Sequence, residues 1–217
     1  MITVHHLEDS RSQRILWLLE ELAVPYEIIH YKRDKKTMLA PPELQKIHPL
    51  GKSPVITDGD QTVAESAVIL EYLVETYGAG RLVPTVNTPA YRHYRYFMHY
   101  AESSLMPYLL LKLIFTKIKT SPMPFFVKPI ARKIADNVSD LFVDPNLKRH
   151  LGFLDAHLTK HPWVAGEELT VADMQMSYPI IAAVERGTVN MPASLVAYAA
   201  KLKALPAYQR AVAKGGE

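Results

Sequence analysis

The stretch HPLGKSPVITDGDQTVAES, residues 48–66, decides the fold, because it holds two short strands, a turn and a helix start in close succession. Pro54 opens the apolar run Val55-Ile56, and proline in a sheet belongs at a strand start or an edge because it lacks a ladder donor. Asp58-Gly59-Asp60 supplies a hairpin turn, and residues 62–64 return as the second strand. Glu65-Ser66 then begin a helix, so the stretch predicts a hairpin leading directly into a helix.

The same stretch holds groups that suit a small extended ligand with a carboxylate at each end. Free N–H groups at the helix start near Ser66 bind anions, and Lys52 adds a cation. If the Ser53-Pro54 bond is cis, the Ser53 backbone is free to pair with a ligand, although only about one X-Pro bond in twenty is cis in folded proteins. The alternative is a plain hairpin in which Ser66 is an N-cap.

The residues before this stretch predict a strand, a helix and a second strand. Residues 2–7 (ITVHHL) and 26–31 (YEIIHY) have strand composition, and residues 12–23 carry apolar side chains at helical spacing before Pro25. Short connections between these elements imply that the two strands are parallel. With the hairpin and a helix over 66–77, residues 1–79 are predicted to form a four-stranded mixed sheet with helices packed on it.

The rest of the chain is predicted to be helical after a Gly- and Pro-marked linker at 80–88. A first helix runs over about 89–119, a second over about 125–142, and Pro145 starts a third. In LTVADM at 169–174, Thr170 and Asp173 form a capping box with Asp in place of Glu. Pro192 and Pro206 start two final helices, so residues 89–217 are expected to form an all-helical domain.

Composition excludes several functional classes. The formal charge of +3 argues against a dedicated nucleic-acid binder. The absence of cysteine excludes disulfides and any mechanism that uses a protein thiol. The longest apolar stretch, 105–118, is too short and too charged to span a bilayer. No signal peptide is visible, since charged residues follow the start closely.

The histidines and the aromatic stretch at 91–100 invite two further interpretations, which the spacing disfavours. His5 and His6 point to opposite faces of a strand. His157 and His161 are one helical turn apart, with no third ligand nearby in sequence, so no metal site is expected. Helical spacing spreads the residues of YRHYRYFMHY over several faces, which favours a subunit interface or a substrate wall over a nucleic-acid surface.

Four stretches, in order, carry a resemblance to a known family. They are SRSQRILWLLEEL at 10–22, HPLGKSPVI at 48–56, AES at 64–66 and LTVAD at 169–173. Together they resemble the cytosolic glutathione S-transferases, and residues 31–54 resemble the fungal and bacterial branch that uses a serine. The resemblance implies an α/β thioredoxin-like N-terminal domain followed by an all-α C-terminal domain.

The resemblance also implies a role for each residue of the central stretch. Pro54 matches the family's cis-proline, and the backbone of Ser53 would pair with the cysteinyl part of glutathione. Lys52 would meet the glycyl carboxylate, and Glu65 and Ser66 would hold the γ-glutamyl group. Glutathione carries two carboxylates, which suit Lys52 and a helix N-terminus, and one ammonium, which suits Glu65.

Ser10 matches the hydroxyl that contacts the sulfur of glutathione and stabilises the thiolate. Ser12 and the Arg11 N–H lie near the same loop and are alternative donors, and a helix N-cap is the structural alternative for Ser10. Arg11 and Arg14 are each expected to form an ion pair with an acidic side chain, and neither is given a catalytic role. Met106, Pro107 and Tyr108 are candidates for the electrophile pocket, with ordinary core as the alternative.

The resemblance implies a glutathione S-transferase, a cytoplasmic detoxification enzyme that forms a homodimer. Glutathione is its co-substrate, hydrophobic electrophiles are its targets, and no permanently bound cofactor is expected. The same thiolate could reduce organic hydroperoxides. The alternative is a non-catalytic protein of the same fold that binds ligands or partners; the presence of Ser10, Lys52, Glu65 and Ser66 favours the enzyme.

Overall fold

The computed structural model describes residues 1–187 and 189–215; Thr188 and residues 216–217, which the predicted helical domain includes, lie outside the described residues. Four strands form one sheet in the order β2-β1-β3-β4. Their bounds are β1 Ile2–Leu7, β2 Tyr26–Tyr31, β3 Val55–Asp58 and β4 Gln61–Ala64. β1 and β2 are parallel, whereas β3 is antiparallel to both β1 and β4. The predicted parallel pair and hairpin are confirmed.

Two helices and one short 3-10 turn accompany the sheet. They are α1 Gln13–Leu22, α2 Ser66–Tyr77 and the turn at Pro42–Lys46. The segment from Ile15 to Leu19 in α1 has no solvent-exposed side chain, because the sheet covers one face and C-terminal helices cover the other. Ala23 ends α1 in a left-handed conformation (φ 56°), and Pro25 then prevents the helix from continuing.

The remainder is helical, which confirms the predicted fold class. The helices are α3 Pro89–Tyr100, α4 Met106–Thr120, α5 Lys128–Val138, α6 Asp144–Leu158, α7 Val171–Arg186, α8 Ala193–Lys203 and α9 Pro206–Gly215. The predicted capping box is present at the start of α7, where Thr170 and Asp173 bond each other's backbone. Among the described residues, no helix is long and apolar enough to cross a membrane.

One predicted helix boundary is wrong. Pro145 does not start a separate helix, because α5 continues into α6 through a π-helical segment, Ser139–Val143. A second such segment, Ala101–Leu105, joins α3 to α4 just before Pro107. Proline lacks an N–H and its ring clashes with the carbonyl four residues earlier. A widened turn just before each proline accommodates both effects, so the helix continues where the sequence suggested a break.

Candidate active site

Ser10 lies in the loop between β1 and α1 and is brought to Ser53 by the pairing of β1 with β3. His5 is paired with Val55, so the loop after β1 and the loop before β3 meet at the same end of the sheet. The Ser10 Oγ lies 3.4 Å from the Ser53 Oγ, and the Ser53 hydroxyl donates to the His5 carbonyl at 3.0 Å. Two of the predicted ligand-binding residues therefore lie side by side.

Ser12 lies behind Ser10 and has no exposed surface. The Ser12 Oγ is 2.7 Å from the Ser10 Oγ and 2.9 Å from His6 Nδ1, and the Ser12 N–H donates to the Ser10 Oγ at 3.2 Å. Ser12, not Ser10, occupies the N-cap position of α1, and no side chain caps that helix. Ser10 borders the cavity described below, whereas Ser12 supports it from inside.

The start of α2 has the open anion-binding geometry that the sequence suggested. Glu65 occupies the N-cap position and Ser66 is the first helical residue, so the alternative of Ser66 as a plain N-cap is wrong. Glu65 adopts a φ of 72°, and its side chain forms no cap. Since the Glu65 side chain makes no cap hydrogen bond to the first N–H groups, they are open to a ligand. The Ser53-Pro54 bond is cis, and Lys52 is exposed beside it.

A cavity of about 580 Å³ lies between the sheet domain and the C-terminal helices, with Ser10 on its wall. Its apolar and aromatic walls come from Tyr178, Ile181, Tyr208 and Val212. These residues belong to α7 and α9, and no sequence pattern connects these two helices with the site. Such a space, next to a few convergent polar groups, is typical of a small-molecule site.

The structure does not bring the three predicted pocket residues, Met106, Pro107 and Tyr108, to this cavity. Met106 is buried beside a small separate gap, Pro107 is exposed, and the Tyr108 ring contacts Phe142 and His150. The cavity beside Ser10 is lined instead by side chains of α7 and α9.

Arg14, which lies on the cavity wall, is the centre of a cluster of charged and polar side chains. Glu102 accepts hydrogen bonds from Arg11 and Arg14, each at 3.0 Å, and Arg14 also bonds the amide oxygen of Gln175. Both guanidinium groups lie over the Tyr178 ring, at 5.3 and 5.4 Å. The expected ion-pair role of the two arginines is confirmed. Burial lowers the pKa of Arg14 to about 10, so it stays protonated at neutral pH.

Sequence reasoning missed Glu102, Gln175 and Tyr178 in this cluster. Glu102 lies in the π-helical segment, and the only local signal for it is Pro107 five residues later. Such segments often mark functional sites. The partners are separated by up to 161 residues, so no local pattern could have joined them.

The histidines of the C-terminal half meet away from this cavity. His93 joins His157 and His161, with ring centroids 4.8 to 6.0 Å apart, so tertiary structure supplies the third ring that was not near in sequence. His157 Nε2 lies 2.9 Å from the Val164 carbonyl oxygen. Burial lowers the pKa of His157, and the two neighbouring histidines lower it further. Within residues 1–187 and 189–215, no group of three or more side chains could hold a metal ion.

Comparison with known proteins identifies similar sequences over most of the chain. A family model for the N-terminal domain of glutathione S-transferases matches residues 1–75. Glutathione S-transferase 3 of Schizosaccharomyces pombe is 39% identical over 84% of this chain and 74% of its own length. Glutathione S-transferase 1 of Saccharomyces cerevisiae is 36% identical over 86% of this chain and 82% of its own length.

Solved structures agree with these sequence matches. A glutathione S-transferase from Actinobacillus pleuropneumoniae superposes with a TM-score of 0.82 at 31% identity, covering 100% of this chain and 93% of its own. A glutathione transferase from Phanerochaete chrysosporium, solved with oxidised glutathione, superposes with a TM-score of 0.74 over 99% of this chain and 95% of its own. At 18% identity the second likeness bears on the fold alone.

Proposed function

This chain belongs to the glutathione S-transferase family, and from that membership we propose how its own residues carry out the reaction. It is a glutathione transferase that uses glutathione as a co-substrate and needs no permanently bound cofactor. The observation that carries the proposal is the position of Ser10, whose hydroxyl lies beside Ser53 on the wall of the cavity between the domains.

We propose that residues 52–54 and 65–66 bind glutathione. The Ser53 backbone before cis-Pro54 pairs with the cysteinyl unit, and Lys52 meets the glycyl carboxylate. The open N–H groups of α2 and the Ser66 hydroxyl hold the γ-glutamyl carboxylate, while Glu65 meets its ammonium. This placement directs the thiol toward Ser10.

Ser10 then acts as a hydrogen-bond donor to the thiolate. A thiol has a pKa near about 8.5, so only a few per cent is ionised at neutral pH. Lowering that pKa by about two units requires about 2.7 kcal/mol. A hydrogen bond to a charged group supplies about 1.5–3 kcal/mol, and the N-terminus of α1 adds about 0.3–1 kcal/mol. Ser10 accepts the Ser12 N–H, and in this role its hydroxyl proton turns from the long 3.4 Å contact with the Ser53 Oγ to the sulfur.

The thiolate attacks an apolar electrophile that occupies the cavity. Tyr178, Ile181 and Tyr208 form the wall that receives it, in place of the residues predicted from sequence. The sulfur forms a bond to the electrophilic carbon, and the leaving group departs or the adjacent atom takes up a proton. Aromatic walls favour flat, conjugated substrates.

The same thiolate is proposed to reduce organic hydroperoxides. The sulfur attacks the terminal peroxide oxygen, which gives an alcohol and the sulfenic acid of glutathione, and a second glutathione converts this acid to the disulfide and water. The chain has no cysteine, so glutathione supplies both sulfur atoms. We further propose that the protein is a homodimer. Assays with a hydroperoxide and size measurements in solution test these two points separately.

The decisive experiment for Ser10 is a pH titration of bound glutathione, followed by thiolate ultraviolet absorbance, in the wild type and in Ser10→Ala. We expect the wild type to titrate well below the free thiol and Ser10→Ala to raise the bound pKa by about one to two units. Ser103→Ala is the matched control, since its hydroxyl bonds only His99 and Ser104 outside the cavity.

Two results would contradict this role for Ser10. If wild-type glutathione binds without a shift in thiol pKa, the site does not activate the thiol, and a binding role replaces catalysis. If the shift survives in Ser10→Ala, Ser12 or a backbone N–H of the α1 start is the donor instead.

A further inference from the structure

The hairpin formed by α4 and α5 exposes an unusual amount of apolar surface. Phe125 and Phe126, at its tip, are 88% and 66% exposed. On both helices the exposed apolar residues recur every four positions, which places them on one face of each helix. We call this set the hairpin surface; it comprises Leu110, Ile114, Ile118, Phe125, Phe126, Ile130 and Ile134.

Little of the molecule packs against this hairpin. Ala135 is the single buried residue among those of α5, and that helix packs chiefly on α4. Apolar residues scattered singly over a surface are normal, but a contiguous patch marks an interaction site. The hairpin surface is therefore expected to be covered by something in the working protein.

Charge distinguishes the hairpin from the rest of the chain. Residues 106–138 contain six lysine or arginine residues and one carboxylate, a net charge of +5, whereas the whole chain carries +3. The remaining residues together therefore carry −2. Two of the six cations are paired, Lys112 with Asp144 and Lys119 with Asp136. The other four make no ion pair within the described part of the chain; they are Lys117, Lys128, Arg132 and Lys133.

We propose that the hairpin surface docks on an anionic lipid surface. An amphipathic helix with aromatic and aliphatic residues on one face and Lys or Arg beside them lies in the interfacial plane of such a membrane. Phe125 lines a groove with Lys128, Arg132 and Lys133, which places cations that attract lipid phosphates beside an apolar anchor.

Other occupants fit the charge and the apolar character less well. A second copy docked with the same face would bring together the four cations of each hairpin that have no ion pair among the described residues, which opposes association. Nucleic acid would neutralise the cations but leave the isoleucine and phenylalanine side chains without apolar partners. This inference concerns a surface away from the glutathione site and does not depend on the proposed roles there.

Vesicle co-sedimentation of the full chain tests the proposal. Phosphatidylcholine vesicles with and without phosphatidylserine are compared at low and high salt. We expect binding to the phosphatidylserine vesicles that weakens with salt. The double variant Phe125→Ser/Phe126→Ser should bind at least about tenfold more weakly, because two anchors are lost. Neutralising Lys128, Arg132 and Lys133 to Gln should cost about fivefold per cation.

Matched controls come from the sheet domain. Leu39 and Leu50 are 66% and 60% exposed, and Lys35 and Lys36 are exposed cations. Leu39→Ser/Leu50→Ser and Lys35→Gln/Lys36→Gln should bind vesicles as the wild type does. Glutathione conjugation should be unchanged in Phe125→Ser/Phe126→Ser, which confirms that this variant is folded.

Three outcomes would overturn the proposal. The first is no binding of the wild type to either vesicle at low salt. The second is equal loss of binding in the hairpin variants and in the sheet-domain controls. The third is a wild-type oligomer that Phe125→Ser/Phe126→Ser converts to a smaller species without a change in vesicle binding, which would assign the surface to a second copy of the chain.

Discussion

At the scale of single residues, the site depends on a hydrogen-bonded row that runs from the interior to the cavity. His6, Ser12, Ser10 and Ser53 are linked in that order, through contacts of 2.9, 2.7 and 3.4 Å. Because Ser12 is buried and bonded on both sides, it fixes the position of Ser10 more firmly than a solvated loop could. A donor held in place before the thiolate forms stabilises it without reorganisation.

Glu65 has a backbone conformation that is uncommon for a residue with a side chain, and it lies at the start of α2. Its φ of 72° lies in the left-handed half of the range, where a residue with a side chain costs about 1–3 kcal/mol. Glu65 is the N-cap residue of α2, and its side chain makes no cap hydrogen bond to the first turn. The strain therefore points to ligand binding rather than to folding.

Substitution of Glu65 separates these two effects. Glu65→Gly removes the strain and the carboxylate, so the variant should unfold at equal or higher denaturant concentration yet bind glutathione at least about tenfold more weakly. Glu65→Ala, the control, should lose the same affinity without gaining stability. Calorimetric titration and urea unfolding measure both quantities. Wild-type affinity in both variants would remove Glu65 from the binding site.

At the scale of elements, the start of α7 is held by several buried hydrogen bonds to Asp173. Asp173 is fully buried and accepts hydrogen bonds from the Val164 and Thr170 N–H groups and from the Tyr198 hydroxyl, at 2.9, 2.8 and 2.5 Å. Burial raises the pKa of Asp173, and these donors oppose the shift. The cap thus joins three segments: α7, the loop at 164 and α8.

Asp173→Asn should therefore destabilise the protein by about 2–4 kcal/mol, because the amide nitrogen cannot accept the Thr170 bonds. Thr88→Ala is the comparison: at the half-buried start of α3 the Thr88 hydroxyl accepts the Tyr91 N–H and donates to the Thr85 carbonyl, and its loss should cost about 1 kcal/mol. Urea unfolding of both variants measures the difference. Equal losses would mean that the buried contacts of Asp173 add nothing to an ordinary cap.

Elements with local signals were predictable, and elements set by distant contacts were not. The hairpin, the turn at Gly59 and the cap at Thr170 depend on neighbours within a few residues, so sequence patterns determine them. The prediction that a new helix begins at Pro145 was wrong, because a proline ends an isolated helix, whereas packing on both sides maintains this helix around a widened turn. The predicted pocket residue Met106 lies outside the cavity beside Ser10, whose apolar wall comes from α7 and α9, and local patterns do not join these helices to Ser10.

At the scale of the whole molecule, α1 is the element on which both domains converge. Its Trp17 ring meets Tyr208 of α9 edge to face, at 5.3 Å. Its Glu20 accepts hydrogen bonds from Arg210, at 2.9 Å, and from Lys214. These contacts hold α9 over the cavity, which Tyr208 and Val212 line. Sequence separations of about 190 residues explain why no pattern predicted them.

Glu20 makes the docking of α9 on α1 dependent on pH. Burial raises the pKa of Glu20, but the hydrogen bonds from Lys214, Tyr26 and Arg210 more than offset that effect, so the pKa lies below its usual value of 4.5. A carboxylate with a depressed pKa in the folded state contributes stability above its unfolded pKa. That contribution is lost as the pH falls through the folded-state pKa.

Glu20→Gln should therefore be less stable than the wild type by about 1–2 kcal/mol at neutral pH, a value reduced because Arg210 and Lys214 are half exposed. The gap should narrow as the pH falls below 4.5, because the wild type alone loses the charged contacts. Urea unfolding at several pH values measures it. Glu185→Gln, which removes an exposed pair with Lys203, should cost less than about 0.5 kcal/mol. A gap for Glu20→Gln that stays constant with pH would show that its ionisation is not linked to the docking of α9.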